Sequence, residues 1–306
     1  LYLQFYRLRS APFSLLPDAD FLYMTKRHRR ALNLLEYGLI SQAGFVVITG
    51  EVGAGKTTVV RRFLRSRRVG DFAVGLVTNA TPTFGGLMSW VSMAFGLEHR
   101  DRDHIALYNQ FVEFVVARYA EGKRTLVIVD EAQNLTVDML EDLRMLSNIN
   151  NEKDLLLQVV LVGQPELLAT LKRPDLRQFA QRISVHYHLS PISCADTIQY
   201  IRHRLSVAGG SFDLFEPLAC AAVYYFAGGV PRLINLLCDQ AMVYGFADEL
   251  PGISLQTILD VVADRGHGGL SPFREVPPGA PPDAVRGEIE ALLAVPDAAS
   301  PPEAAA

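Results

Sequence analysis

Residues 50–58 read Gly50-Glu51-Val52-Gly53-Ala54-Gly55-Lys56-Thr57-Thr58, a complete G-x-x-x-x-G-K-T loop. No other stretch restricts the fold as much. The glycines let successive backbone N–H groups turn toward a phosphate chain. Lys56 brings a positive charge to the β- and γ-phosphates, and Thr57 offers a hydroxyl to Mg²⁺. Such a loop works between a strand and a helix. Residues 44–49 are an apolar, β-branched run that reads as a buried strand. Residues 57–65 read as a helix whose N-terminus faces the phosphates. The whole loop from Gly50 to Thr58 is therefore a candidate site for a nucleoside triphosphate.

Downstream the pattern alternates. Residues 72–77, 125–129, 155–162 and 183–189 read as strands, and residues 87–95, 105–119 and 137–148 as helices. Strands alternating with helices predict an α/β fold with a parallel sheet covered on both faces. After Pro191 the strand signal stops. Residues 195–207, 216–226, 231–246 and 254–263 carry helical periodicity and read as a separate all-helical module. From Gly266 onward Pro, Ala, Gly and Glu dominate, which reads as a disordered tail with one short helix at 286–293. The expected organisation is a sheet domain over 1–190, a helical module over 191–265 and the tail over 266–306.

With 306 residues, 49% of them hydrophobic, the chain suits one large domain or two modest ones. Its formal net charge of −4 gives no global basic field that would by itself argue for nucleic acid. Cys194, Cys220 and Cys238 are widely spaced, odd in number and fit no metal pattern, so reduced core thiols are expected. No signal-peptide pattern opens the chain, and no apolar run approaches the roughly 20 residues of a membrane helix. A cytoplasmic protein, at most peripheral to a membrane, is expected. The first residue is Leu1 rather than Met, which leaves the native start open.

A second set of residues completes the chemistry. Leu126-Val127-Ile128-Val129 is an aliphatic strand that ends in Asp130-Glu131. An acid at the end of a parallel strand beside the phosphate loop holds Mg²⁺ through its water shell, the role assigned to Asp130. Glu131 is then placed to polarise an attacking water. Gln164, at the end of the fourth strand, is positioned to bridge a γ-phosphate and that water; ordinary turn chemistry is the alternative. Arg182, with Arg173 and Arg177 nearby, suits an arginine finger offered to a neighbouring subunit, or else a solvated surface arginine. Gly228-Gly229-Val230-Pro231-Arg232 opens a helix. Arg232 is poorly placed there for the helix dipole, which suggests an anionic partner such as a γ-phosphate.

Together these motifs resemble the AAA+ ATPases, in the branch typified by general secretion pathway protein A (ExeA-like ATPases). The resemblance covers nearly all of residues 1–265. It includes Phe5-Tyr6, Ala11-Pro12-Phe13-Ser14, the run from Pro17 to Tyr23, His28 and Ala31-Leu32. Gly163-Gln164-Pro165-Glu166-Leu167 and Gly229-Val230-Pro231-Arg232-Leu233-Ile234-Asn235 belong to it as well. The fold this implies is a P-loop NTPase sheet followed by a small helical lid. It implies ATP and Mg²⁺ as cofactors, with Lys56 and Thr57 on phosphate and metal, Asp130 on the metal and Glu131 as catalytic base. It also implies that Gln164 is sensor 1, Arg182 the finger and Arg232 sensor 2, with the block from Phe21 to Leu32 beside the adenine. Gln164 departs from the Asn or Thr common at sensor 1.

The resemblance further implies a homo-oligomer, ring or filament, whose sites are shared through Arg182. Secretion-type members continue into a membrane helix and a peptidoglycan-binding domain. Here a Pro/Ala-rich tail follows the lid, so the subgroup beside exosortase and exopolysaccharide loci is the closer expectation. The leading reading is a motor or switch for envelope secretion or export, cytoplasmic or peripheral at the inner membrane. The alternative is a DNA-associated regulator of the MuB or TniB type. It draws on two basic runs, Lys26-Arg27-His28-Arg29-Arg30 and Arg61-Arg62 with Arg65 and Arg67-Arg68, although charge runs are usually solvated faces. A slowly turning nucleotide-gated scaffold is a weaker third reading, and a small-molecule kinase fits the long lid poorly.

Overall fold

The computed structural model describes residues 2–16, 18, 20–78, 80–81, 86–151, 154–267, 269, 271–275 and 282–294. Two compact units account for them. One comprises Lys26–Glu51 and Lys56–Leu189; the other comprises the described residues of Leu1–Thr25, Val52–Gly55 and Ser190–Ala306. The sequence reading put residues 1–25 with the sheet. The structure groups them instead with the helical unit, for a reason given below.

The chain opens with a single turn, α1 (Tyr2–Phe5). The sheet unit then holds α2 (Lys26–Ile40), β1 (Phe45–Gly50), α3 (Lys56–Leu64), β2 (Phe72–Thr78), α4 (Gly86–Ala94), α5 (His104–Ala120) and β3 (Arg124–Asp130). It continues with α6 (Val137–Leu146), β4 (Leu157–Gly163), α7 (Pro165–Leu171), α8 (Arg177–Ala180) and β5 (Ile183–Leu189). All strand pairs are parallel, in the order β2-β3-β4-β1-β5. Every residue of β1 and β4 is buried, as continuous apolar runs covered on both faces require. The edge strand β5 alternates, with Val185 and Leu189 buried and Ser184, His186 and His188 exposed.

This order positions the chemistry. β4 lies between β1 and β3, with Thr49 opposite Gly163 and Leu161 opposite Val129. The ends of β1, β4 and β3 therefore stand side by side at one edge of the sheet. The phosphate-type loop, Gln164 and Asp130 follow from those three ends.

Local signals set the helix starts. Asp103 accepts the Ala106 N–H at 2.7 Å to cap α5, and Thr136 accepts that of Met139 at 3.3 Å to cap α6. The helix α2 was hidden in the sequence by its basic opening run. Behind that run His28, Ala31, Leu35 and Leu39 share one buried face at helical spacing. The buried Gln158 amide of β4 donates to the carbonyls of Gly38 and Ala43, each at 3.0 Å, and so closes the end of α2.

The helical unit contains α9 (Cys194–Val207), α10 (Pro217–Ala227), α11 (Pro231–Ala247), α12 (Leu255–His267) and α13 (Pro282–Ala294). Its core joins Phe226, Ile234, Leu237 and Ile258 to Tyr6, Leu8, Phe13 and Phe21 from the N-terminal segment. Arg204 fixes that segment. Its buried guanidinium donates to the carbonyls of Pro12 and Ser14 and to the Tyr200 hydroxyl, which in turn donates to Asn235. It also stacks over Phe21 at 5.0 Å. A buried arginine needs such partners, and this is why residues 2–25 belong to the helical unit. Pro17 and Ala19 lie outside the described residues.

The tail, expected to be disordered apart from a short helix at 286–293, carries α13, which begins four residues earlier at Pro282. Val285 and Ile289, one turn apart, are buried in the helical core, and the Tyr225 hydroxyl of α10 donates to Glu288 at 2.7 Å. Residues 276–281 and 295–306 lie outside the described residues. The three cysteines are free and buried. Among the described residues no helix is long and apolar enough to cross a membrane.

Candidate active site

The loop from Gly50 to Thr58 runs between β1 and α3. Its ends belong to the sheet unit, and Val52–Gly55 are grouped with the helical unit. Gly53 and Gly55 have φ of 81° and 98°, a left-handed backbone that side chains disfavour. Lys56 is buried, 6% exposed, and donates from Nζ to the carbonyls of Gly50 at 2.7 Å and Glu51 at 3.0 Å. Burial pushes its pKa down, and the carboxylates of Glu131, Asp130, Glu51 and Glu166 oppose that fall.

The end of β3 meets the start of α3. Thr57 Oγ1 donates to Asp130 Oδ2 at 3.2 Å, and the Glu131 N–H donates to Asp130 Oδ1 at 3.0 Å. Burial raises the Asp130 pKa, partly offset by those two hydrogen bonds. A hydroxyl and a carboxylate converging here are hard oxygen donors of the kind Mg²⁺ takes, with waters and phosphate oxygens completing its shell. The residues present therefore fit that ion.

Glu131 follows in a left-handed conformation, φ 55°. Its Oε2 accepts the Gln133 amide at 2.7 Å and the Gln164 amide at 3.4 Å. Gln164 occupies the position before α7 whose side chain usually caps a helix, yet its side chain makes no cap bond and turns to Glu131 instead. Lys56, Thr57, Asp130, Glu131 and Gln164 thus gather at the edge where the strands end. Sequence reasoning passed over Gln133. The available signal was its place two residues beyond the acid in Asp130-Glu131-Ala132-Gln133.

Arg182 does not join them. It precedes β5, whose first residue Ile183 pairs with Phe45 at the start of β1. It therefore lies at the opposite edge of the sheet, roughly 20 Å away over a strand of this length. Its Nη1 donates to Ser147 Oγ at 2.6 Å and to the Arg144 carbonyl at 3.4 Å. Arg173 is paired with Asp175. Arg177 is exposed and makes no ion pair among the described residues.

Within the helical unit, the Arg232 N–H donates to the Gly53 carbonyl at 3.4 Å. A Cβ at Gly53 would stand 2.6 Å from the Arg232 Cβ, so only glycine permits this approach. Gly228 and Gly229, both at positive φ, make the turn into α11, and a Cβ at Gly229 would collide with the Ile192 carbonyl. Pro231 takes the first position of that helix.

Comparison with known proteins agrees with this geometry. A family profile described as "AAA domain" matches residues 39–171. General secretion pathway protein A of Aeromonas hydrophila is 44% identical over 81% of this chain and 45% of its own length. The chain thus spans about half of that relative. Among solved structures, the Aeropyrum pernix ORC2 protein (ADPNP–ADP complexes) aligns with a TM-score of 0.62 at 18% identity, covering 87% of this chain and 72% of its own. Drosophila ORC bound to DNA aligns with a TM-score of 0.64 at 15% identity, covering 87% and 66%. At such identities these two structures establish the fold alone. Residues 39–171 thus carry an AAA domain, and over 81% of its length the chain is similar to general secretion pathway protein A.

Proposed function

We propose that the protein binds and hydrolyses ATP as an oligomeric switch or motor for an envelope secretion or exopolysaccharide export system. The observation that carries the hydrolytic part is the Thr57–Asp130 hydrogen bond, 3.2 Å, with the Glu131 carboxylate tethered alongside by Gln164. Lys56 supplies positive charge to the β- and γ-phosphates. Bound Mg²⁺, held by Thr57 and through water by Asp130, would neutralise charge on the same oxygens. Glu131 accepts a proton from a water whose oxygen attacks the γ-phosphorus in line. The bond from that phosphorus to the bridging oxygen breaks, leaving ADP and phosphate. Gln164 orients the water, and Arg232 adds charge stabilisation.

The link to secretion rests on the 44% identity with general secretion pathway protein A. Assembly into a ring or filament, a site completed by an arginine of a second copy and a cytoplasmic or membrane-peripheral location belong to the same reading. The test of nucleotide binding is equilibrium titration with ATP and Mg²⁺. The wild-type chain binds, and Lys56→Ala weakens binding at least about tenfold, the scale of a lost charged contact. Equal binding by both would overturn the reading.

A second reading, a DNA-associated regulator, has one favourable observation. Arg61, Arg62, Arg65 and Arg67 are exposed and, among the described residues, lack an ion-pair partner, whereas Arg68 reaches Glu36 at 3.5 Å. ATP-dependent DNA binding that weakens steeply with salt would favour it.

A further inference from the structure

The sequence Asp130-Glu131-Ala132-Gln133 is followed by a sharp turn. Glu131 is left-handed, and Ala132–Asn134 form one turn of 3₁₀ helix. The turn carries the Gln133 side chain back over the strand ends. Its Nε2 donates to Glu131 Oε2 at 2.7 Å, and its Oε1 accepts the backbone N–H of Gln164 at 3.0 Å. Gln164 Nε2 donates to the same Glu131 oxygen at 3.4 Å. Gly163 makes room, because a Cβ there would stand 3.1 Å from Gln133 Oε1 and 3.2 Å from Gln133 N.

This arrangement needs an amide. One end of Gln133 must donate to a carboxylate while the other accepts from an N–H. Rotating the amide by half a turn would set oxygen against oxygen and N–H against N–H, so its partners fix its orientation. A glutamate of the same size would place a second negative charge against Glu131. A free glutamate side chain samples several rotamers, and fixing it in advance removes an entropic cost from the reacting geometry. Both amides meet Oε2. Among the described residues no side chain donates to Oε1, so that oxygen is the one left to accept a proton from water.

We propose that Gln133 is a positioning residue: it holds the Glu131 carboxylate in its working orientation and ties it to the backbone at the start of α7, so that Glu131 and Gln164 act as one unit. This rests on the reading of Glu131 as the base in ATP hydrolysis. Gln133 itself touches neither nucleotide nor water in this account.

The test compares steady-state ATP hydrolysis and ATP affinity for the whole wild-type chain, Gln133→Ala, Gln133→Glu, Glu131→Gln and the Glu131→Gln/Gln133→Ala pair. Thermal unfolding checks that each variant is folded. Gln133→Ala is expected to lower kcat about tenfold or more, the scale of one hydrogen bond to a charged group, with ATP affinity and KM within about twofold of wild type. Gln133→Glu, which fills the same space, is expected to lose at least as much. On the Glu131→Gln background Gln133→Ala is expected to add no further loss, because it acts through Glu131. The inference is overturned if Gln133→Ala or Gln133→Glu keeps wild-type kcat while Glu131→Gln is inactive. It is equally overturned if affinity falls in step with kcat, or if the loss is as large without Glu131. A wild-type chain that does not hydrolyse ATP, or a Glu131→Gln chain as active as wild type, overturns the reading of Glu131 and this inference with it.

Discussion

Arg182 donates from Nη1 to Ser147 Oγ at 2.6 Å, just past the end of α6, and reaches the Arg144 carbonyl at 3.4 Å. A cation at the C-terminal end of a helix satisfies exposed carbonyls and favours the dipole. The arginine selected from sequence as a finger is therefore already held within its own subunit, whereas Arg177 on α8 is exposed and unpaired among the described residues. Arg182→Ala should cost about 1–2 kcal/mol in urea unfolding, and Arg177→Ala within about 0.5 kcal/mol of zero. If a second copy completes the site, Arg177→Ala lowers ATPase activity at unchanged stability, and mixing with Lys56→Ala chains restores it. An Arg182→Ala chain of normal stability but no activity would assign the finger role to Arg182.

Asp130 is buried at a place where its charge is costly. Its folded pKa lies above the unfolded value, so its protonated form is favoured by folding. That contribution is fully present below the unfolded pKa and is lost as pH rises through the folded pKa. At neutral pH the folded chain carries the ionised form at a penalty. Asp130→Asn removes the charge and keeps the size, so it should raise Tm without nucleotide, by about 2–4 °C for each kcal/mol regained. It should also abolish Mg²⁺-dependent turnover. A lower Tm for the variant near pH 7 would show that the hydrogen bonds from Thr57 and Glu131 outweigh burial.

The cysteines should behave as core groups. Burial pushes the Cys194 thiol up to about 11 and the Cys220 thiol up to about 12, with Cys238 also raised well above its ordinary value. At pH 8 only about one Cys194 in a thousand is thiolate. Thiol titration of the native chain should proceed slowly, and denaturation should release all 3 groups. A rapid native reaction at one site would contradict the packing of the helical unit.

The helix α13 should be part of the fold. Ile289 is fully buried, whereas Leu293 on the same helix is 42% exposed. Ile289→Ala is expected to destabilise the chain by about 2–4 kcal/mol, and Leu293→Ala by less than about 1 kcal/mol. Equal and small effects would mean that α13 does not hold to α10.

Much of this was readable beforehand, for physical reasons. The buried strands β1, β3 and β4 are continuous apolar runs, and those patterns survive in one dimension. Lys56, Thr57, Asp130 and Glu131 sit in local motifs whose place at the strand ends already implies that they converge. Other features depend on where the chain returns in space. Gln133 matters only because Glu131 turns left-handed and Gly163 has no side chain. Arg182 finds Ser147 across 35 residues, and Arg204 reaches back to Pro12 across 192. Neither separation leaves a periodic trace. The helix α13 was legible over 286–293, but the Pro- and Ala-rich composition around it hid its first turn and its packing, in which Val285 and Ile289 are buried.

We propose that Glu131 turns a bound nucleotide over rather than merely holding it. The most direct measurement is Mg²⁺-dependent phosphate release from ATP by wild-type and Glu131→Gln chains, under conditions where both are saturated with ATP. Wild type is expected to release phosphate steadily and Glu131→Gln at a rate at least about a hundredfold lower, within the range general-base catalysis supplies. Equal rates from the two saturated chains would contradict it.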